Sequence, residues 1–185
     1  MKKPIVIVIC GNPDAGDDGF GHAVAERLRA DRLAGVTIRE LGLRPMDLLE
    51  DEETYGALII VDALFCPGKE PGSLVDMDWF DPARPVLQNE ATLSTHGITM
   101  GRQLELLRSL EMLPSVVRLV GSHIGQLKMG YPLTEAVQKS VSEVARVIGS
   151  IAAKAVRTRC SDQECPGPNP ALRRQKWGRA PDQPP

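Results

Sequence analysis

The sequence predicts an α/β protein, a three-layer sandwich with a mostly parallel, twisted sheet between helices. Two observations carry that reading. The runs PIVIVIC (4–10) and GALIIVDA (56–63) are apolar without alternation, as strands covered on both faces are. Between and after them stand stretches whose apolar residues recur three and four apart, the spacing of helices with one buried face. A length of 185 residues, 42% of them hydrophobic, suffices for one domain with a sizeable core.

The elements follow in order. PIVIVIC opens as a strand. Phe20, Val24 and Leu28 share one face of a first helix, expected to end near Gly35. VTIREL (36–41) is a second strand, and RPMDLLEDEE, opened by Pro45, reads as a short helix. GALIIVDA is a third strand. SLVDMDWF (73–80) reads as a shorter strand at an antiparallel edge. Met100, Leu104 and Leu107 mark the inner face of a second long helix, from about His96 to Glu111. SVVRLVGSH (115–123) holds another strand. Ala136, Val137, Val141, Val144 and Ile148 mark a last helix from Leu133 to about Arg157. The alternation of strand and helix implies helices on both faces of the sheet. The domain is therefore expected over residues 1–157. Residues 158–185, rich in proline and arginine and without periodicity, read as a disordered tail.

Composition excludes several classes. Residues 1–156 carry 16 basic and 21 acidic side chains, so nucleic acid is not the expected partner. Residues 157–185 carry 6 basic and 3 acidic groups and read as solvated. No apolar run is long enough to span a bilayer, and no membrane partner is expected. MKKPIVIVIC mimics a signal peptide, but its apolar part is too short and lacks a small-residue cleavage site. Four cysteines, Cys10, Cys66, Cys160 and Cys165, form no dense framework and fit a reducing cytoplasm.

The chemistry concentrates in GNPDAGDDGFG (11–21), between the first strand and the first helix. Glycine-rich turns there usually cradle phosphate on backbone N–H groups. Asp14, Asp17 and Asp18 would repel it. The spacing Gly16-x-x-Gly19-x-Gly21 is not the dinucleotide order, and neither a P-loop nor a serine elbow is present. In a parallel α/β sheet, strand C-termini and helix N-termini share one edge, where ligands bind. That edge would gather Asp17 or Asp18, Asp62 at the end of the third strand, and His96 at the start of the second long helix. Two carboxylates and an imidazole suit a divalent cation such as Zn²⁺, Ni²⁺, Mn²⁺ or Fe²⁺ and leave coordination positions open. Without a cation, the carboxylates would repel and one would tend to stay protonated. Helix N-termini are expected to favour ionised aspartate and neutral histidine.

Plainer roles compete. One of Asp17 and Asp18 is expected to cap the first helix. Asp62 has a second reading as a turn residue, and His96 as part of a cap with Ser94 or Thr95. Gly11 and Asn12 shape the turn. His22 reads as a helix-face residue and His123 as a loop residue after the strand, either a substitute ligand. Cys66 with His96 forms a weaker nucleophile reading, on a loop expected to be mobile.

GNPDAGDDGFGHAVAERL, ALIIVDAL, FCPGKEPGSL and LSTHGITMGRQLELL resemble the hydrogenase maturation endopeptidases over about residues 4 to 153. The resemblance implies a protease that trims the C-terminal extension from the large-subunit precursor of a nickel–iron hydrogenase after nickel insertion. Its motifs match metal contacts to Asp18, Asp62 and His96, the expected catalytic and metal-binding residues. That leaves Asp17 as a cap or a support behind them. The nickel would be carried by the precursor, with no tightly held metal required at rest. The metal would position the scissile peptide and polarise its carbonyl or activate a water; a carboxylate base is the alternative. The chain is expected to act as a monomer in the cytoplasm, with the 63–95 segment and the rim docking the precursor. Two other classes stay open: a non-cleaving nickel-recognising assembly protein, and a small-molecule hydrolase or phosphorylase-like enzyme on the same fold.

Overall fold

The computed structural model describes residues 3–42, 55–83 and 100–161. Five strands and three helices follow in the order β1 (Ile5–Cys10), α1 (Phe20–Ala30), β2 (Val36–Gly42), β3 (Ala57–Leu64), β4 (Leu74–Asp78), α2 (Met100–Ser109), β5 (Val117–His123) and α3 (Glu135–Ser161). The sheet order is β2-β1-β3-β5-β4. β1, β2, β3 and β5 are parallel, and β4 runs antiparallel to β5 at the edge.

Every residue of β1 is buried, which is why the run could be uniformly apolar. The pleat sorts the side chains between two cores. Ile5, Ile7 and Ile9, with Ile59 and Val61 of β3, pack against Phe20, Val24 and Leu28 of α1 and Val137, Val144 and Ile148 of α3. Val6, Val8 and Cys10, with Leu58 and Ile60, pack with Trp79 and with Leu104 and Leu107 of α2. Each fully buried aliphatic side chain contributes about 1.5–3 kcal/mol, so neither face of β1 tolerates a charge. These two cores make the three layers the sequence predicts. Among the described residues no helix is long and apolar enough to cross a membrane.

Topology creates the rim. The chain leaves β1, forms β2 on one side, and returns as β3 on the other. The order of strands therefore reverses around β1, the switch point at whose strand C-termini folds of this class bind ligands. Their register pairs Ile9 with Val61. One residue further along the two strands stand Cys10 and Asp62.

Several element ends differ from expectation. α1 stops at Ala30, not near Gly35, because Asp31 closes its last turn and Arg32 takes a positive φ of 49°. α3 runs past Arg157 to Ser161; no glycine or proline interrupts the sequence before Pro166. His123 ends β5 and is not a loop residue. The helix expected over RPMDLLEDEE and the start of the second long helix at His96 lie outside the described residues.

Candidate active site at the sheet rim

The acidic loop is built by local hydrogen bonds. Gly11 leaves β1 with φ 99°, and a Cβ there would lie 2.2 Å from the Asp18 carbonyl oxygen. Only glycine satisfies both demands. The Asn12 N–H donates to the Asp18 carboxylate (2.7 Å), and its side-chain oxygen accepts the Asp14 N–H (3.0 Å). Gly11 and Asn12 thus shape the turn, as expected. A 3₁₀ turn, Asp17–Gly19, then feeds α1.

The two aspartates of that turn diverge. Asp17 is fully buried. One carboxylate oxygen accepts the N–H groups of Gly125 (3.2 Å) and Gln126 (3.0 Å), and the other that of Thr134 (2.6 Å). Its own N–H donates to the Gln126 carbonyl (3.0 Å). The expected cap on α1 is absent: the helix starts after Gly19 with no side-chain cap bond. Asp17 instead ties the acidic loop to the segment between β5 and α3.

Asp18 and Asp62 keep partial solvent access. Burial pushes the Asp18 carboxyl up, against the opposing pull of the Asn12 N–H and of His22. Burial, then the charge of Asp18, pushes Asp62 up to about 7, against the Ala63 N–H that donates to it at 2.9 Å. The expected repulsion is therefore present, and Asp18 and Asp62 share one rim. Burial thus favours the protonated form of both carboxyls, the opposite direction to the pull expected from a helix N-terminus. Beside them, the buried Cys10 thiol is held protonated by burial and by the charges of Asp62 and Asp18. Burial and the rim's negative charge make it a core thiol.

The remaining candidates divide. His96 lies outside the described residues, so its approach to the carboxylates is a sequence expectation. Among the described residues no cluster of three metal-binding side chains forms. His22 stands 3.5 Å from the Glu40 carboxylate, with its Nδ1 buried and unpartnered. His123, also with a buried unpartnered Nδ1, ends β5 opposite Leu64. Cys66 is partly exposed in the loop after β3.

Sequence reasoning missed Gly121. It pairs with Asp62 across β3 and β5, and a Cβ there would lie 2.1 Å from the Asp62 carbonyl oxygen. The signal was available: a glycine inside an apolar strand marks a close approach. It also missed that the segment after β5 forms one lip with the acidic loop. Gly16 bridges Leu127, and the Gly130 N–H donates to the Asp14 carbonyl (2.7 Å).

Residues 22–151 match the sequence model of the hydrogenase maturation protease family. The matched span contains Asp62 and His96 and begins just after the acidic loop. Among solved structures, the chain is similar to the hydrogenase maturating endopeptidase HybD from E. coli, with 24% identity and a TM-score of 0.69 over 82% of this chain and 93% of that one. It is also similar to the [NiFe] hydrogenase maturation protease HycI from Thermococcus kodakarensis KOD1, with 26% identity and a TM-score of 0.59 over 82% and 94%. An endopeptidase from Escherichia coli, solved in solution, gives 24% identity and a TM-score of 0.67 over 86% and 99%. No curated protein matches the chain.

Proposed function

Because the chain belongs to the hydrogenase maturation protease family, we propose that it removes the C-terminal extension of a nickel–iron hydrogenase large-subunit precursor after nickel insertion. Asp18, Asp62 and His96 recognise the metal, which arrives as part of the substrate. One observation carries the reading. Burial raises the proton affinity of both rim carboxylates, and the charge of Asp18 raises that of Asp62 further, at the sheet edge where folds of this class bind ligands. A dication relieves that conflict by replacing the proton with a stronger positive charge. Carboxylate oxygens fit nickel, and His96 would complete a set of one imidazole and two oxygens.

The roles follow from each environment. Asp18 is held by the Asn12 N–H and presents its carboxylate at the rim. Asp62, raised to about 7 in the absence of a cation, would give up its proton to a dication and present an ionised carboxylate to it. His96 stands four residues ahead of α2, whose Leu104 and Leu107 pack in the same core as Leu58 and Ile60 of β3. The metal, when bound, would position the scissile peptide and polarise its carbonyl. Docking falls to the rim and the 63–95 segment, where Phe65 and Phe80 are exposed. The free thiols of Cys10 and Cys66 fit the cytoplasm as the compartment.

The test is intact mass after incubation with purified nickel-loaded precursor, beside a nickel-free one. The expected result is loss of the C-terminal extension from the loaded precursor alone. Equal cleavage of both would remove metal recognition. Stable binding of the loaded precursor with no change in mass would remove the protease reading and favour an assembly protein.

A further inference from the structure

We propose that Asp17 is a positioning residue for the site. It fixes the segment between β5 and α3 against the acidic loop and so holds the carboxylate of its neighbour Asp18 in place. The inference rests on the reading of Asp18 given above, but its geometry is independent of any metal.

Asp17 is fully buried and spends both carboxylate oxygens on backbone donors, two from Gly125 and Gln126 and one from Thr134. The Thr134 carbonyl accepts the first bond of α3, from the Gln138 N–H (2.9 Å). The start of a helix of 27 residues is thus bonded to the residue beside Asp18. Its own N–H returns a bond to the Gln126 carbonyl, and the Gly16–Leu127 bridge and the Gly130–Asp14 bond extend the seam. From Asn12 to Gly19 the loop has few apolar anchors of its own, so these bonds set its position. On the far side of the same turn, Asn12 donates to Asp18. The Asp18 carboxylate therefore has a local support in Asn12 and a distant one through Asp17. An amide at 17 would turn one acceptor into a donor facing N–H groups, breaking the seam without changing shape.

The experiment uses the full chain labelled with ¹⁵N. In Asp17→Asn, folded by circular dichroism, the Asn12 amide proton should move upfield as its charge-assisted bond to Asp18 lengthens. On nickel-loaded precursor the turnover number should fall about 10- to 100-fold, with the Michaelis constant little changed. A role confined to stability would lower the melting temperature and leave the Asn12 resonance and the turnover of the folded fraction alone. That result would overturn the proposal. A moved Asn12 resonance, with no processing by the unaltered chain either, would support the positioning role and sink the protease reading instead. If Asp17→Asn does not fold, hydrogen exchange on the unaltered chain decides. The amides of Asn12, Gly125, Gln126 and Thr134 should open together with one free energy. Exchange of Asn12 independent of the other three would overturn the coupling.

Discussion

At the scale of single residues, Asp62 combines two demands that oppose each other. Its carboxyl is raised to about 7 by burial and by Asp18, so the folded chain holds a proton that the unfolded chain releases near pH 4. Stability from this group is full below that pH and is lost as pH rises toward 7. Asp62→Asn should therefore melt higher than the parent at pH 8, by on the order of 2 kcal/mol, with the difference vanishing toward pH 4. Thermal melts across that range measure it. The same variant, and His96→Ala, should remain folded and leave nickel-loaded precursor uncut, as read by intact mass. Much of this pair was legible, because a strand end and a strand-to-helix turn must meet at one edge of a parallel sheet. The division of labour between Asp17 and Asp18 was not. Asp17 bonds to residues 108 to 117 positions further along, and no local pattern encodes such partners.

At the scale of elements, the strands were the most readable parts. β1 and β3 are buried on both faces, and uniform hydrophobicity is what such burial requires. The antiparallel edge strand was legible too, since polar and apolar residues alternate from Val75 to Asp78. Helix ends were less so. α1 ends through a left-handed Arg32, a conformation the sequence does not announce, where Gly35 looked the natural stop. The tightest constraint on an element is at β5, where Gly121 lets β3 and β5 close beside Asp62. Gly121→Ala should destabilise by about 1–3 kcal/mol through overpacking. It should also lower processing more than a core substitution of equal thermal cost, because the displaced atom belongs to Asp62. Denaturant unfolding paired with a turnover assay separates the two effects.

At the scale of the whole molecule, the fold class was legible and the strand order was not. Alternating strands and helices imply a covered parallel sheet, but placing β1 between β2 and β3 depends on which side the chain returns to. The candidate site lies where that return reverses the strand order. Residues 162–185 show no helical or strand periodicity in the sequence and lie outside the span that matches the family. A chain ending at residue 161 should therefore unfold within about 0.5 kcal/mol of the parent and process the precursor at the same rate. A calorimetric scan and the mass assay check both.

The antiparallel margin has a consequence for how copies of this chain meet. A sheet's outermost strand offers unpaired backbone groups to any neighbour with an extended segment. β4 is only five residues long, and Asp76 and Asp78 along it share one cation, Arg118. Adding a strand there would crowd those acids against a newcomer that brings no compensating charge. The margin is thereby guarded against self-templated growth, even though the ladder beneath it is otherwise well formed.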